Sequence, residues 1–145
     1  MEFIKELVEY GMIGLLILMS MAAVAITIEK YLVLRKVNLK DYKDKKSLEL
    51  ELTKKMHFLA TIGSNAPYVG LLGTVLGIML TFYTMGKEGV MDSNKIMVGL
   101  ALAMKVTAVG LGVAIPTVVF YNLLLRKIKE LIMKWEIDKD SLGEN

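Results

Sequence analysis

The sequence has no cysteine, one histidine (His57), two prolines (Pro67 and Pro116) and no carboxylate inside any of its long uncharged runs. The missing cysteine excludes disulfides, thiol nucleophiles and Cys-ligated metal sites. Proton relays through a bilayer are built from Asp, Glu or His, so these runs cannot carry protons unaided. A proton path would need a titrating group on a second protein. No cofactor and no metal site is expected, and the chain is not expected to be an enzyme. The N-terminal segment Met1–Glu6 carries more acid than base. It therefore lacks the positive start of a secretory signal, and the first apolar run is expected to persist as a helix.

What is present is apolar residues gathered into blocks. Of the 145 residues, 54% are hydrophobic. Tyr10 to Ile28, Phe58 to Gly86 and Val106 to Leu125 contain no charge at all. A spanning helix needs roughly 20 mainly apolar residues, and the runs lack the alternation of barrel strands. The expected fold is an all-α membrane protein with three transmembrane helices. The spans fall at about 10–30, 60–85 and 97–125, within a single domain over 1–145. A loop over about 31–57 and a C-terminal helix over about 126–140 extend the helical part beyond the membrane. Within them, Glu49 to Lys55 are expected to lead straight into the second span. Asp41 to Ser47 reads as a turn with Ser47 as N-cap. Gly86 to Asn94 reads as the outer loop, with Ser93 or Asn94 capping the third helix.

Fourteen Lys and Arg residues flank the spans in the 30–57 segment and after residue 125, against Lys5, Lys87 and Lys95 on the other side. Basic residues collect on the cytoplasmic side. The N-terminus is therefore expected outside (periplasmic) and the C-terminus inside (cytoplasmic). The interspersed Asp41, Asp44, Glu49 and Glu51 dilute the positive charge, and nucleic acid is not an expected partner.

The second and third spans carry small residues three or four apart: Gly70, Gly73 and Gly77 in one, Gly110 and Ala114 in the other. Such faces let helix backbones approach closely, and two of them point to a homo-oligomer walled by these spans. The first span is bulkier and reads as lipid-facing. Pro67 and Pro116 are expected to kink their helices. Thr74 and Thr107 stand in glycine-rich runs. Each hydroxyl can bond back to its own helix, or line a water-filled or partner-filled lumen. Lys105 is the one charge within a span. It is either functional or snorkels to the interface, and it points roughly 200° away from Thr107. Its anionic partner is expected from another chain.

The run Ser64 to Met79, SNAPYVGLLGTVLGIM, resembles the second-span motif of the ExbB/TolQ family, and Ala103 to Pro116 with Tyr121-Asn122 resembles its third-span motif. The more distant MotA proteins share the architecture. The resemblance implies an inner-membrane homo-pentamer of a Gram-negative bacterium. That pentamer encloses ExbD, whose span supplies a protonatable Asp, and drives TonB by the proton motive force. It also implies that Thr74 and Thr107 face the pore. The chain looks like a compact ExbB. It departs from the family at Leu102, where a Glu is usual, so no role is carried over there. Glu29 and Arg35 match charged family positions only loosely and read as interfacial anchors. The alternatives are a TolQ-like stator of the Tol-Pal system, a membrane scaffold without ion coupling, and a small transporter. The last would need an inverted repeat or helices broken near the midplane, and the sequence shows no repeat.

Overall fold

The computed structural model describes residues 2–143. The two ends of the domain read over 1–145, residue 1 and residues 144–145, lie outside the described residues. Four α-helices follow in order: α1 (Glu2–Lys36), α2 (Lys45–Leu52), α3 (Met56–Glu88) and α4 (Ser93–Ser141), with a short 3-10 turn at Leu39–Asp41. Three of them, α1, α3 and α4, are long and apolar enough to cross a membrane. At 1.5 Å per residue, the 49 residues of α4 reach about 74 Å. That is more than twice the hydrocarbon thickness of about 30 Å, so α4 also supplies the C-terminal extension as one continuous helix. Both prolines are accommodated inside unbroken helices, Pro67 in α3 and Pro116 in α4.

The dominant interface is α3 on α4, and α1 packs against both. Along α1, Leu7, Leu18, Met21 and Ile28 stay exposed. Two buried clusters divide the molecule lengthwise. One, within the spans, is made of Leu16, Ala66, Val106 and Ala114. The other, at the basic end, joins Leu34, Leu48, Leu52, Leu59, Leu124, Ile128 and Leu131 from all four helices. Trp135 fastens this end by donating its indole N–H to the Tyr42 carbonyl at 3.0 Å. Lys45 pairs with Glu136 at 2.6 Å, and the hydrogen-bonded carboxylate holds the Lys45 ammonium above the usual lysine range.

Several expected boundaries move. The segment from Glu49 does not run into the second span. α2 stops at Leu52, and Lys55 takes a left-handed conformation at φ 68° before α3 starts. Ser47 lies inside α2, with Asp44 at the N-cap position and no side-chain cap bond. The outer connection is shorter than 86–94, because α3 runs on to Glu88 and Gly89 caps it at φ 71°. α4 is capped by Asp92 rather than Ser93 or Asn94: its carboxylate accepts from the Asn94 N–H at 3.0 Å. At α4 a neighbouring residue with a better-placed oxygen, and at Lys55 and Gly89 a left-handed backbone break, set the boundary instead of the residue expected from type alone.

The α2–α3 elbow has an anchor that composition does not show. Lys30 of α1 is buried and donates its Nζ to the Leu52 carbonyl at 2.7 Å. Carbonyls in the last turn of a helix lack intrahelical partners and carry partial negative charge. A cation is therefore well placed there. Beside it, Lys55 bonds Glu29 at 2.6 Å, so both ends of the elbow are tied to α1.

Candidate functional site

The α3–α4 crossing is set by glycines in direct backbone contact. A Cβ on Gly110 would stand 2.8 Å from the Ala66 carbonyl oxygen and 3.0 Å from Gly70 Cα. A Cβ on Gly70 would stand 3.0 Å from the Val106 carbonyl. No side chain fits there, so the two helices touch main chain to main chain. Gly73, facing Val106, and Gly77, facing Ala103, continue the seam, and Ala114 is buried at its other end.

Thr74 lies one turn beyond Gly70, and Thr107 lies just before Gly110. The close approach brings their hydroxyls into hydrogen-bond contact across the seam. Thr74 Oγ1 also reaches the Ala103 carbonyl of the facing helix at 2.8 Å and the Gly70 carbonyl of its own at 3.2 Å. Thr107 Oγ1 reaches the Gly70 carbonyl at 3.4 Å. Two hydroxyls supply only two protons. The short bond to Ala103 takes the Thr74 proton, and Thr107 then donates towards Thr74. Thr107 does not make the back-bond within its own helix that its sequence context allows. Both threonines are half-buried, so one side of the pair remains open.

Below the pair, α3 presents Thr61, Ser64, Asn65 and Tyr68 on an exposed face. Asn65 Nδ2 donates to the Thr61 carbonyl at 2.8 Å, and Ser64 Oγ donates to the same carbonyl at 3.3 Å. Polar groups at this depth are unfavourable against lipid. The face suits an aqueous lumen or another protein chain.

Lys105 is apart from this site, as its helical angle implies, but its partner is within the chain. Glu9 Oε1 lies 3.7 Å from Lys105 Nζ, with the Glu9 side chain 18% exposed and that of Lys105 58%. The expectation of an anion from another chain is thus corrected. The first run was delimited at Tyr10 by its charge-free stretch, whereas α1 begins at Glu2 and carries Glu9 into the bundle. Glu9 also shares a small crevice with Leu102, Gly73 and Gly77. Helix phase alone gave no signal for it, because the contact depends on how α1 leans on α4.

A family model described as the MotA/TolQ/ExbB proton channel family matches residues 24–137. The chain is 55% identical over 136 residues to the biopolymer transport protein ExbB of Aquifex aeolicus, covering 94% of this chain and 92% of that protein. It is 51% identical over 139 residues to the biopolymer transport protein ExbB of Helicobacter pylori strain J99, covering 96% of each. It is also 53% identical over 133 residues to a putative biopolymer transport protein, ExbB-like 2, of Helicobacter pylori strain 26695, covering 92% of this chain and 89% of that one.

Proposed function

The chain belongs to the MotA/TolQ/ExbB proton channel family, and we propose that it is the non-enzymatic stator subunit of an inner-membrane, proton-driven motor of the ExbB type. Five copies surround the single spans of an ExbD partner, and the assembly energises TonB-dependent outer-membrane transport. The N-terminus is periplasmic, and the basic end with its helical bundle is cytoplasmic, following the excess of Lys and Arg there. The reading rests above all on the Thr74–Thr107 pair: two half-buried hydroxyls joined across the helix seam, in spans whose uncharged runs hold no acid of their own.

The mechanism follows from that chemistry. The partner's Asp is the titrating group. Ionised, it is held at the α3–α4 wall when Thr107 turns its single hydroxyl proton from Thr74 to the carboxylate, while Thr74 keeps its bond to Ala103. Protonated, it is neutral and can move past the apolar residues between one subunit and the next. A proton crossing 100 mV releases about 2.3 kcal/mol, which biases the direction of that movement. The exposed Thr61–Tyr68 face of α3 continues the polar path towards the basic end.

The test is co-reconstitution of the chain with its single-span partner in liposomes under a pH gradient. Proton flux is expected only with both proteins present. Thr107→Val is expected to cut flux at least tenfold while the partner still co-purifies, because Thr74 keeps its bond to Ala103 and the seam stays closed. Thr107→Ser is expected to retain flux. Flux through the chain alone, or undiminished flux in Thr107→Val, would overturn the reading. A complex that assembles yet never conducts would establish a scaffold instead.

A further inference from the structure

Away from the threonines, a cleft of about 780 Å³ opens between α1 and α4 near the basic end of the spans. Ile28, Tyr31, Phe120 and Leu123 line its apolar part, and Arg35 and Lys127 line it from the same two helices. Its floor is closed by Leu34 and Leu124 of the buried cluster. Arg35 follows Ile28 by seven residues and Lys127 follows Phe120 by seven, a rise of about 10 Å in each helix. Both walls therefore pass from apolar to cationic over the same distance.

Among the described residues Arg35 and Lys127 form no ion pair, and an acid near each of them in sequence is engaged elsewhere. Glu29 binds Lys55 at 2.6 Å and Glu130 binds Arg126 at 3.2 Å. Tyr31 adds an amphipathic ring of the kind enriched at membrane interfaces.

We propose that this cleft binds one anionic phospholipid, its phosphate held by Arg35 and Lys127 and its acyl chain lying along Ile28, Phe120 and Leu123. Two unpaired cations at the mouth of an apolar groove match a negative headgroup with an attached hydrocarbon tail. Basic pockets between spanning helices on this side of a membrane take such headgroups. A zwitterionic lipid brings its own ammonium and gains less, and a soluble phosphate leaves the apolar wall unfilled. The lipid would wedge α1 against α4 where α1 has its last turn.

The test uses the purified full chain, stripped of lipid in detergent and titrated with phosphatidylglycerol or phosphatidylethanolamine of identical acyl chains. Bound lipid per subunit is read by native mass spectrometry. Phosphatidylglycerol is expected to be held about tenfold more tightly. The double variant R35Q/K127Q is expected to lose that preference. Leu123→Trp, which fills the groove and leaves both charges, is expected to weaken retention of both lipids. Millimolar glycerol phosphate is expected not to displace the bound lipid. Equal retention of the two lipids, a preference that survives R35Q/K127Q, displacement by glycerol phosphate, or cross-linking from position 123 to a second copy of the chain would overturn the proposal. Helix content by circular dichroism monitors folding. Should the double variant not fold, the comparison of lipids on the unaltered chain and Leu123→Trp still decide.

Discussion

At the scale of single residues, the molecule turns on atoms that are missing as much as on those present. Gly110 has no Cβ, and one placed there would meet the Ala66 carbonyl oxygen at 2.8 Å. Main chain cannot give way as a flexible side chain does. Gly110→Ala should therefore spread α3 from α4 and cost about 1–3 kcal/mol, read as a lower midpoint in detergent-resolved thermal unfolding. Gly112, whose added Cβ meets nothing within 4 Å in the chain, serves as the control and should unfold as before. The Glu9–Lys105 pair gives a second residue-scale expectation. Glu9→Gln leaves a lysine without its counter-charge, and Lys105→Gln leaves a largely buried carboxylate without its ion-pair partner. Each single change should destabilise, and the double change should cost less than the sum. The coupling should be about 0.5–1 kcal/mol, since the lysine is largely exposed. A double-mutant cycle on thermal midpoints checks it, and strict additivity would dissolve the pair.

At the scale of elements, the break between α2 and α3 is the feature that composition hides most. Lys55 stands at φ 68°, where side-chain-bearing residues are uncommon. The surroundings hold it: Lys55 is tied to Glu29, and Lys30 closes the carbonyl end of α2 at Leu52. Lys30→Met keeps the aliphatic stem but leaves the Leu52 carbonyl without its donor. The expected cost is about 1–3 kcal/mol, localised to the elbow. Hydrogen exchange should show faster opening of residues 48–56, while α3 beyond Leu59 keeps its protection. Uniform protection across the elbow would mean that water or another donor replaces the lysine at no loss.

At the scale of the whole molecule, the two buried clusters are held together by different physics. In the spans, lipid is as apolar as the core, so glycine contacts and threonine bonds do the joining. At the basic end, water is the alternative solvent, and burial of Leu48, Leu52 and Ile128 is driven by the hydrophobic effect. Leu48→Ala should cost about 2–5 kcal/mol by opening a cavity and should melt that end first. Proteolysis near residues 37–55 would report it while the spans stay intact. Simultaneous loss of both ends would show them to be one cooperative unit.

Three spans, their small-residue faces, the threonines and the family motifs were all legible in the chain order. Each depends on properties that act along one helix: a bilayer demands a minimum apolar length, and a face repeats every three or four residues. The pairing of Glu9 with Lys105, the Lys30 cap on Leu52, the Asp92 cap and the meeting of Thr74 with Thr107 were decided only by tertiary structure. Those contacts depend on where one helix sits against another. That placement comes from the glycine seam and the packing of all the helices together, which no single segment encodes.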